Sequence, residues 1–251
     1  FTYFLQSGMA EIETREVFTS AMTDVITDVR GKSNETLLNI TEDIRSEYEN
    51  NKAVSLDKLA EKYDVDVVLD IPDTEIYNVA KHVKRVHVYS QHMDAITPGG
   101  HTGSTLPEAI KETGVTVTLI NHSEQRLTIA DIDAVVEKTK DLELTSVLCT
   151  NNVKTSAAAA SFNPDYIAIE PPELIGTGIP VSQANPEIVE NTVNEIHKIN
   201  KEINVLCGAG ISTGEDMKAA LELGSQGVLL ASGIIKADDQ KQALLDLVSL
   251  I

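Results

Sequence analysis

The chain has 251 residues, 42% of them hydrophobic, and a formal net charge of −19. That length and composition suit one large domain with a sizeable core, and the acidity excludes nucleic-acid binding through phosphates. No apolar run approaches the roughly 18 residues of a membrane span and no basic, apolar leader opens the chain, so a cytoplasmic protein away from membranes is expected.

Taken in order, the first 64 residues read as helical. Ile12, Val17, Phe18, Ala21, Met22, Val25, Ile26 and Val29 recur at steps that put them on one helix face over 9–29. Leu37, Ile40, Ile44 and Tyr48 do the same over 34–49, and 55–63 reads as a third, short helix. From residue 65 the pattern changes. Strands are expected at 65–71, 86–90, 115–120, 146–149, 166–169, 203–206 and 228–230. Helices are expected at 73–82, 104–113, 129–140, 152–161, 186–199, 214–223 and 238–248. Pro72 ends the first of these strands, and Asn185 with Pro186 opens the long helix at 186–199. Strands alternating with helices at short spacing imply a parallel sheet. Seven such units plus one from the front make a (β/α)8 barrel, a single domain over 1–251 with a helix-rich, atypical portion at 1–64. The runner-up is an open doubly wound sheet, but no glycine-rich turn follows an early strand as a dinucleotide site requires. Cys149 and Cys207 lie in or at the end of apolar strands, which suggests buried, reduced thiols.

Chemistry gathers at the strand ends. The apolar run 166–169 stops at Glu170, because Pro171 and Pro172 cannot continue a ladder. Gly176 and Gly178 come next and let backbone amides approach a ligand closely. A carboxylate at the C-terminal tip of a buried strand, ahead of a mobile loop, is where barrel enzymes keep their reactive groups; the plain alternative is a solvated Glu in an ordinary turn. Three further apolar strands end in Asn121-His122-Ser123-Glu124, in Gly208-Ala209-Gly210 and in Ala231-Ser232-Gly233.

These four stretches, in this order, resemble the triosephosphate isomerase family in its archaeal branch. The likeness is specific from about residue 86 to 251, weaker over 65–83, and absent or scrambled before that. It implies a TIM barrel that interconverts dihydroxyacetone phosphate and glyceraldehyde 3-phosphate without metal or organic cofactor. It makes Glu170 the base, since a carboxylate taken partly out of water holds a proton more readily. It makes His122 the electrophile, a neutral imidazole that donates a hydrogen bond to the developing oxyanion; alone, His122 would read as a core histidine satisfied by backbone. It assigns phosphate binding to backbone N–H groups of Gly176, Gly210, Ala231 and Ser232, with Ile175 in the lid. Glu124 resembles a residue that supports the site electrostatically, or else is an exposed carboxylate at a helix start. The loop 91–103 resembles one that interlocks two subunits, so a homodimer or homotetramer is expected.

One motif is not found. The family carries Asn-x-Lys at the tip of its first strand, and that lysine neutralises substrate charge. Leu37-Leu38-Asn39-Ile40-Thr41 has Thr41 where lysine belongs, and its spacing is helical. Thr2-Tyr3-Phe4-Leu5-Gln6-Ser7-Gly8 resembles the family's segment just past the lysine, which puts Phe1 in the lysine's place and leaves a first strand truncated or rebuilt. Lys32 or Lys52 would need an unusual path to the site. His87, His92 and His101 raise a metal reading but lack a compact motif with acidic co-ligands. The rival to an enzyme is therefore a catalytically impaired or non-catalytic barrel that binds a small phosphorylated ligand.

Overall fold

The computed structural model describes residues 2–7, 56–81, 83–175 and 177–251. The expected helices at 9–29 and 34–49, the alternative first-strand register at 37–41, Lys32, Lys52 and Gly176 lie outside the described residues.

Eight strands close into a barrel in chain order: β1 (Thr2–Ser7), β2 (Val65–Ile71), β3 (His87–Ser90), β4 (Val117–Ile120), β5 (Thr145–Thr150), β6 (Tyr166–Ile169), β7 (Asn204–Gly208) and β8 (Gly227–Leu230). From β2 to β8 each neighbouring pair is parallel. Between them run α1 (Leu56–Tyr63), α2 (Asp73–Ala80), α3 (Pro107–Glu112), α4 (Ile129–Asp141), α5 (Val153–Ala160), α6 (Val181–Ala184), α7 (Pro186–Ile199), α8 (Gly214–Glu222), α9 (Ser232–Ile235) and α10 (Gln240–Leu247). This is the (β/α)8 architecture that the alternation of elements implies.

Sequence explains most of these boundaries. β2 is buried along its whole length, as a strand covered on both faces must be, with Asp66 and Asp70 buried among its apolar residues. Pro72 stops it and serves as the N-cap position of α2. α5 opens on a capping box in which Asn152 accepts from the Thr155 N–H and Thr155 returns a bond to the Asn152 N–H. Its alanines, with Ala159 and Ala160 buried, keep that helix slim. Thr128 caps α4 through the Asp131 N–H, whereas Asn185, at the N-cap position of α7, makes no side-chain cap bond. Two elements are additional: the single turn α6, which directly succeeds the loop after Glu170, and the single turn α9 directly after β8.

The parallel expectation fails at β1. It pairs antiparallel with β2, Thr2 opposite Asp70 and Ser7 opposite Val65, and antiparallel with β8, Tyr3 opposite Leu230 and Gln6 opposite Gly227. The open edges of β2 and β8 carry unpaired backbone groups, and a strand of either direction can satisfy them. The consequence is directional. The C-terminal ends of β2 to β8 share one rim, and β1 brings its first residue to that rim, not its last.

Candidate active site

β4 hands over to the site through Asn121, which takes the left-handed conformation at φ 62°, where asparagine is among the few tolerated side chains. Its side chain fixes the turn in two directions: Nδ2 donates to the Cys149 carbonyl at 3.0 Å, and Oδ1 accepts from the Leu127 N–H at 2.9 Å. Arg126 donates from Nη1 to the Asn121 carbonyl at 2.9 Å. The reversal turns the half-buried His122 back over the barrel mouth. The Glu124 N–H donates to His122 Nδ1 at 3.4 Å, and Glu124 Oε2 lies 3.6 Å from the same nitrogen. A backbone N–H can only donate, so the bond makes Nδ1 the acceptor and leaves the proton on Nε2.

Glu170 comes directly after β6. Its N–H donates to the Thr150 carbonyl at 2.8 Å, which carries the parallel ladder one step past the strand and holds the Cα rigidly. Its side chain is buried and faces His122, with Oε2 to Nε2 at 3.7 Å. Oε2 accepts no hydrogen bond from the described residues. Buried carboxylate oxygens are nearly always satisfied, so an exception in a cleft marks a place where a ligand supplies the partner. Two neighbours make room for this side chain. Gly208, at the tip of β7, packs against it so closely that a Cβ there would overlap Glu170 Cγ. Cys149, at the end of β5, lies beneath; burial first, then the Glu170 charge, pushes its thiol well above the ordinary range. Cys207 on β7 is pushed up to about 12 by burial, with the charges of Asp216 and Glu170 adding to it. Both thiols are neutral supports at neutral pH, not nucleophiles.

Beyond Glu170 the chain makes a short coiled loop. Leu174 and Ile175 return backbone bonds to Pro171 and Pro172, and the Thr177 N–H and Oγ1 both donate to the Leu174 carbonyl. Ile175 and Ile179 stand exposed on it. The loop's far end rests on the turn after β7: Val181 N–H donates to the Ala209 carbonyl at 3.3 Å. Gly210, at φ 77°, lies so close that a Cβ would run into the Ile179 carbonyl. The turn after β8 meets the same place, since a Cβ on Gly233 would strike the Ile211 carbonyl and Ser212. Gly210, Ala231 and Ser232 thus sit in two adjoining turns on the rim that carries His122 and Glu170. Ser232 opens α9, where the first N–H groups of a helix have no partner within it.

The three histidines of the metal reading are engaged apart. His87 Nδ1 is 3.0 Å from Thr116 Oγ1, and His92 Nε2 is 3.0 Å from Asp94 Oδ1. His101 stands exposed in the 91–103 loop. No group of three or more potential metal ligands occurs among the described residues. Asn121 and Gly208 stood in the motifs read from sequence, but their structural roles did not show there; Asp216 was not singled out, because its partner Gln183 lies 33 residues away.

The family model described as triosephosphate isomerase matches residues 38–251 of the chain. A triosephosphate isomerase of Methanobacterium bryantii is 60% identical over 193 residues, which cover 77% of this chain and 85% of that protein. One of Methanocaldococcus jannaschii is 53% identical over 205 residues, covering 80% and 93%. One of Methanosarcina barkeri is 56% identical over 200 residues, covering 80% and 87%. An acid and an imidazole brought face to face by strands far apart in the chain, and identity above one half across most of the barrel, have one common explanation: the chain belongs to the triosephosphate isomerase family.

Proposed function

We propose that the rim between β4 and β6 interconverts dihydroxyacetone phosphate and D-glyceraldehyde 3-phosphate by proton transfer through an enediolate. Glu170 removes a proton from the carbon beside the carbonyl, and the C–H electrons move into a carbon–carbon double bond as the carbonyl oxygen gains charge. His122 donates from Nε2–H to that oxygen. The hydroxyl proton passes to the original carbonyl oxygen by way of His122, and as Glu170 returns its proton to the neighbouring carbon the original hydroxyl becomes the carbonyl and the original carbonyl a hydroxyl. Triosephosphate isomerase is itself the standard illustration of this division between carboxylate and neutral imidazole. The observation that carries the reading is the 3.7 Å approach of His122 Nε2 to Glu170 Oε2, since groups so placed can touch adjacent atoms of one triose.

Phosphate is held by backbone N–H groups of Gly210, Ala231, Ser232 and Gly176, with Ile175 closing over it in the lid. Such donors suit a chain of net charge −19, where bulk charge repels the substrate and oriented amides supply the local attraction. The chemistry asks for neither metal nor organic cofactor. The subunits pair as a homodimer or homotetramer through the 91–103 loop, in the cytoplasm. That loop is internally braced: Asp94 accepts from the Thr105 N–H at 2.7 Å and from His92. Burial raises the Asp94 carboxyl, but these hydrogen bonds together hold it below the usual range. No helix among the described residues is long and apolar enough to cross a membrane.

A second reading rests on β1. Because it runs antiparallel, it does not deliver the end of a first strand, where the resemblance expects a lysine, to the reacting rim. The outcome would be a barrel that binds a phosphorylated ligand and turns it over poorly or not at all. A coupled assay of the purified chain decides between the two, run beside calorimetric binding of 2-phosphoglycolate, a phosphorylated mimic of the enediolate. Turnover in the parent that Glu170→Gln abolishes supports the isomerase; tight binding with no turnover supports the binder.

A further inference from the structure

We propose that Asp216 and Gln183 form a latch that ties the C-terminal anchor of the lid to the turn after β7, so that phosphate seated on that turn and closure of the lid stabilise one another. The inference rests on the reading that this turn grips phosphate and that 171–180 is a lid.

Asp216 lies in the first turn of α8 and is buried, 4% exposed, although it is a carboxylate in a protein with no shortage of surface acids. A buried carboxylate is tolerated only where donors surround it. Oδ2 faces three: the Ser212 N–H at 3.1 Å, the Ser212 hydroxyl at 3.3 Å and the Thr213 N–H at 2.9 Å. Two of these go beyond what capping α8 requires. They commit both donors of Ser212 inward and fix the path of the chain from Gly208 to Thr213, whose outer face is the turn at Ala209, Gly210 and Ile211.

The other oxygen reaches the lid. Oδ1 accepts from Gln183 Nε2 at 2.7 Å, across 33 residues of sequence, and Gln183 belongs to α6, the turn into which the lid runs. Ser182 adds a longer bond from its hydroxyl to the Asp216 carbonyl at 3.4 Å. With the Val181–Ala209 backbone bond and the contact of Gly210 with Ile179, the lid's far end is fastened at four points, two on the β7 turn and two on Asp216. The near end differs: among the described residues from Pro171 to Thr177 the backbone bonds are internal, and the chain starts from the rigid tip of β6. The lid therefore swings on an anchor that is the phosphate turn itself. A ligand that orders that turn stabilises the anchor, and the anchored lid shields the ligand; by linkage the two effects are equal in free energy. Gln183 is a positioning residue here, not a catalytic one, since it acts only through Asp216.

Gln183 is exposed, so replacing it leaves the core intact. Gln183→Met keeps the length and removes the donor; Gln183→Lys restores a donor to the carboxylate. The measurements are 2-phosphoglycolate affinity by calorimetry, amide exchange of 171–180 with and without that ligand, and the melting temperature of the unliganded chain. A lost hydrogen bond to a charged group corresponds to about tenfold or more in affinity. Gln183→Met is expected to weaken 2-phosphoglycolate by about that factor, with lid amides losing much of the protection the ligand gives them in the parent. Gln183→Lys is expected to recover most of both. A purely structural bond would lower the unliganded melting temperature and leave ligand affinity and lid protection as in the parent; that result overturns the latch. A parent chain that does not bind 2-phosphoglycolate removes the reading beneath the inference, and the inference with it, and is told apart because it needs no variant.

Discussion

The stretch from β2 to β8 and the single strand β1 close the same barrel by different means. Each strand from β2 onward is buried along most of its length and ends in a proline, a polar turn or a cap, with a helix laid over it. Parallel neighbours all present their C-terminal ends on one side, and that common direction is what brings Asn121-His122 after β4, Glu170 after β6 and the turns after β7 and β8 to one mouth. β1 supplies backbone partners to two edges, and its direction brings its first residue, not its last, to the mouth. Closing a barrel and equipping it are separable tasks: the first needs only donors and acceptors along an edge, while the second needs polarity of the strand.

The largest effects belong to the equipped side. Glu170→Gln removes the base while keeping the shape, and kcat is expected to fall by about 10²–10⁴-fold, the range for a positioned general base. The coupled assay reads this, with 2-phosphoglycolate binding retained. His122→Ala removes the oxyanion donor, and about 10²–10³-fold in kcat is expected. Glu170→Gln should not lower stability much, since Glu170 Oε2 accepts no hydrogen bond among the described residues. A variant that lost its activity only by unfolding would erase the distinction between equipping and closing.

Stability separates the two regions more directly. Leu206 on β7 is fully buried, and Leu206→Ala is expected to cost about 2–5 kcal/mol in urea unfolding, the transfer term plus the cavity left behind. Leu5→Pro deletes one ladder donor in β1, whatever its side chain does, and is expected to cost about 1 kcal/mol. That corresponds to roughly 2–4 °C in melting temperature for a chain of this length. If Leu5→Pro costs as much as Leu206→Ala, then β1 is a stave equal to the others and the contrast fails.

The same contrast explains what could be read from sequence. Glu170 was legible because an apolar run, a carboxylate and two prolines stand side by side. His122 was legible through its motif. Direction was not legible at β1: 2–7 is equally compatible with either sense of pairing, and only the edges it meets, more than 50 residues away, choose. Nothing local singles out Asp216, since its value lies in Gln183 and Ser212 arriving from two different turns. The alternation of strands and helices foretold the rim; which glycine or carboxylate packs against which neighbour on it came from tertiary contact alone.

The smallest effect concerns the thiols under the rim. Cys207 is fully buried and pushed up to about 12, against an ordinary 9.0 in the unfolded chain. Below pH 9 both states hold the proton and the group contributes no pH dependence. Between 9 and 12 the unfolded chain gives up its proton while the folded chain keeps it, so stability falls as pH rises. One unit into that window the loss is about 1 kcal/mol. Cys207→Ala should therefore flatten the decline in unfolding free energy between pH 8 and pH 10, beyond whatever constant cost the missing sulfur brings. Cys149 is raised for the same leading reason, burial, so its alanine variant should flatten the decline in the same direction. An alkaline limb unchanged in both variants would mean that the floor beneath Glu170 admits water and hydroxide. The carboxylate would then be far less sheltered than its 6% exposure implies.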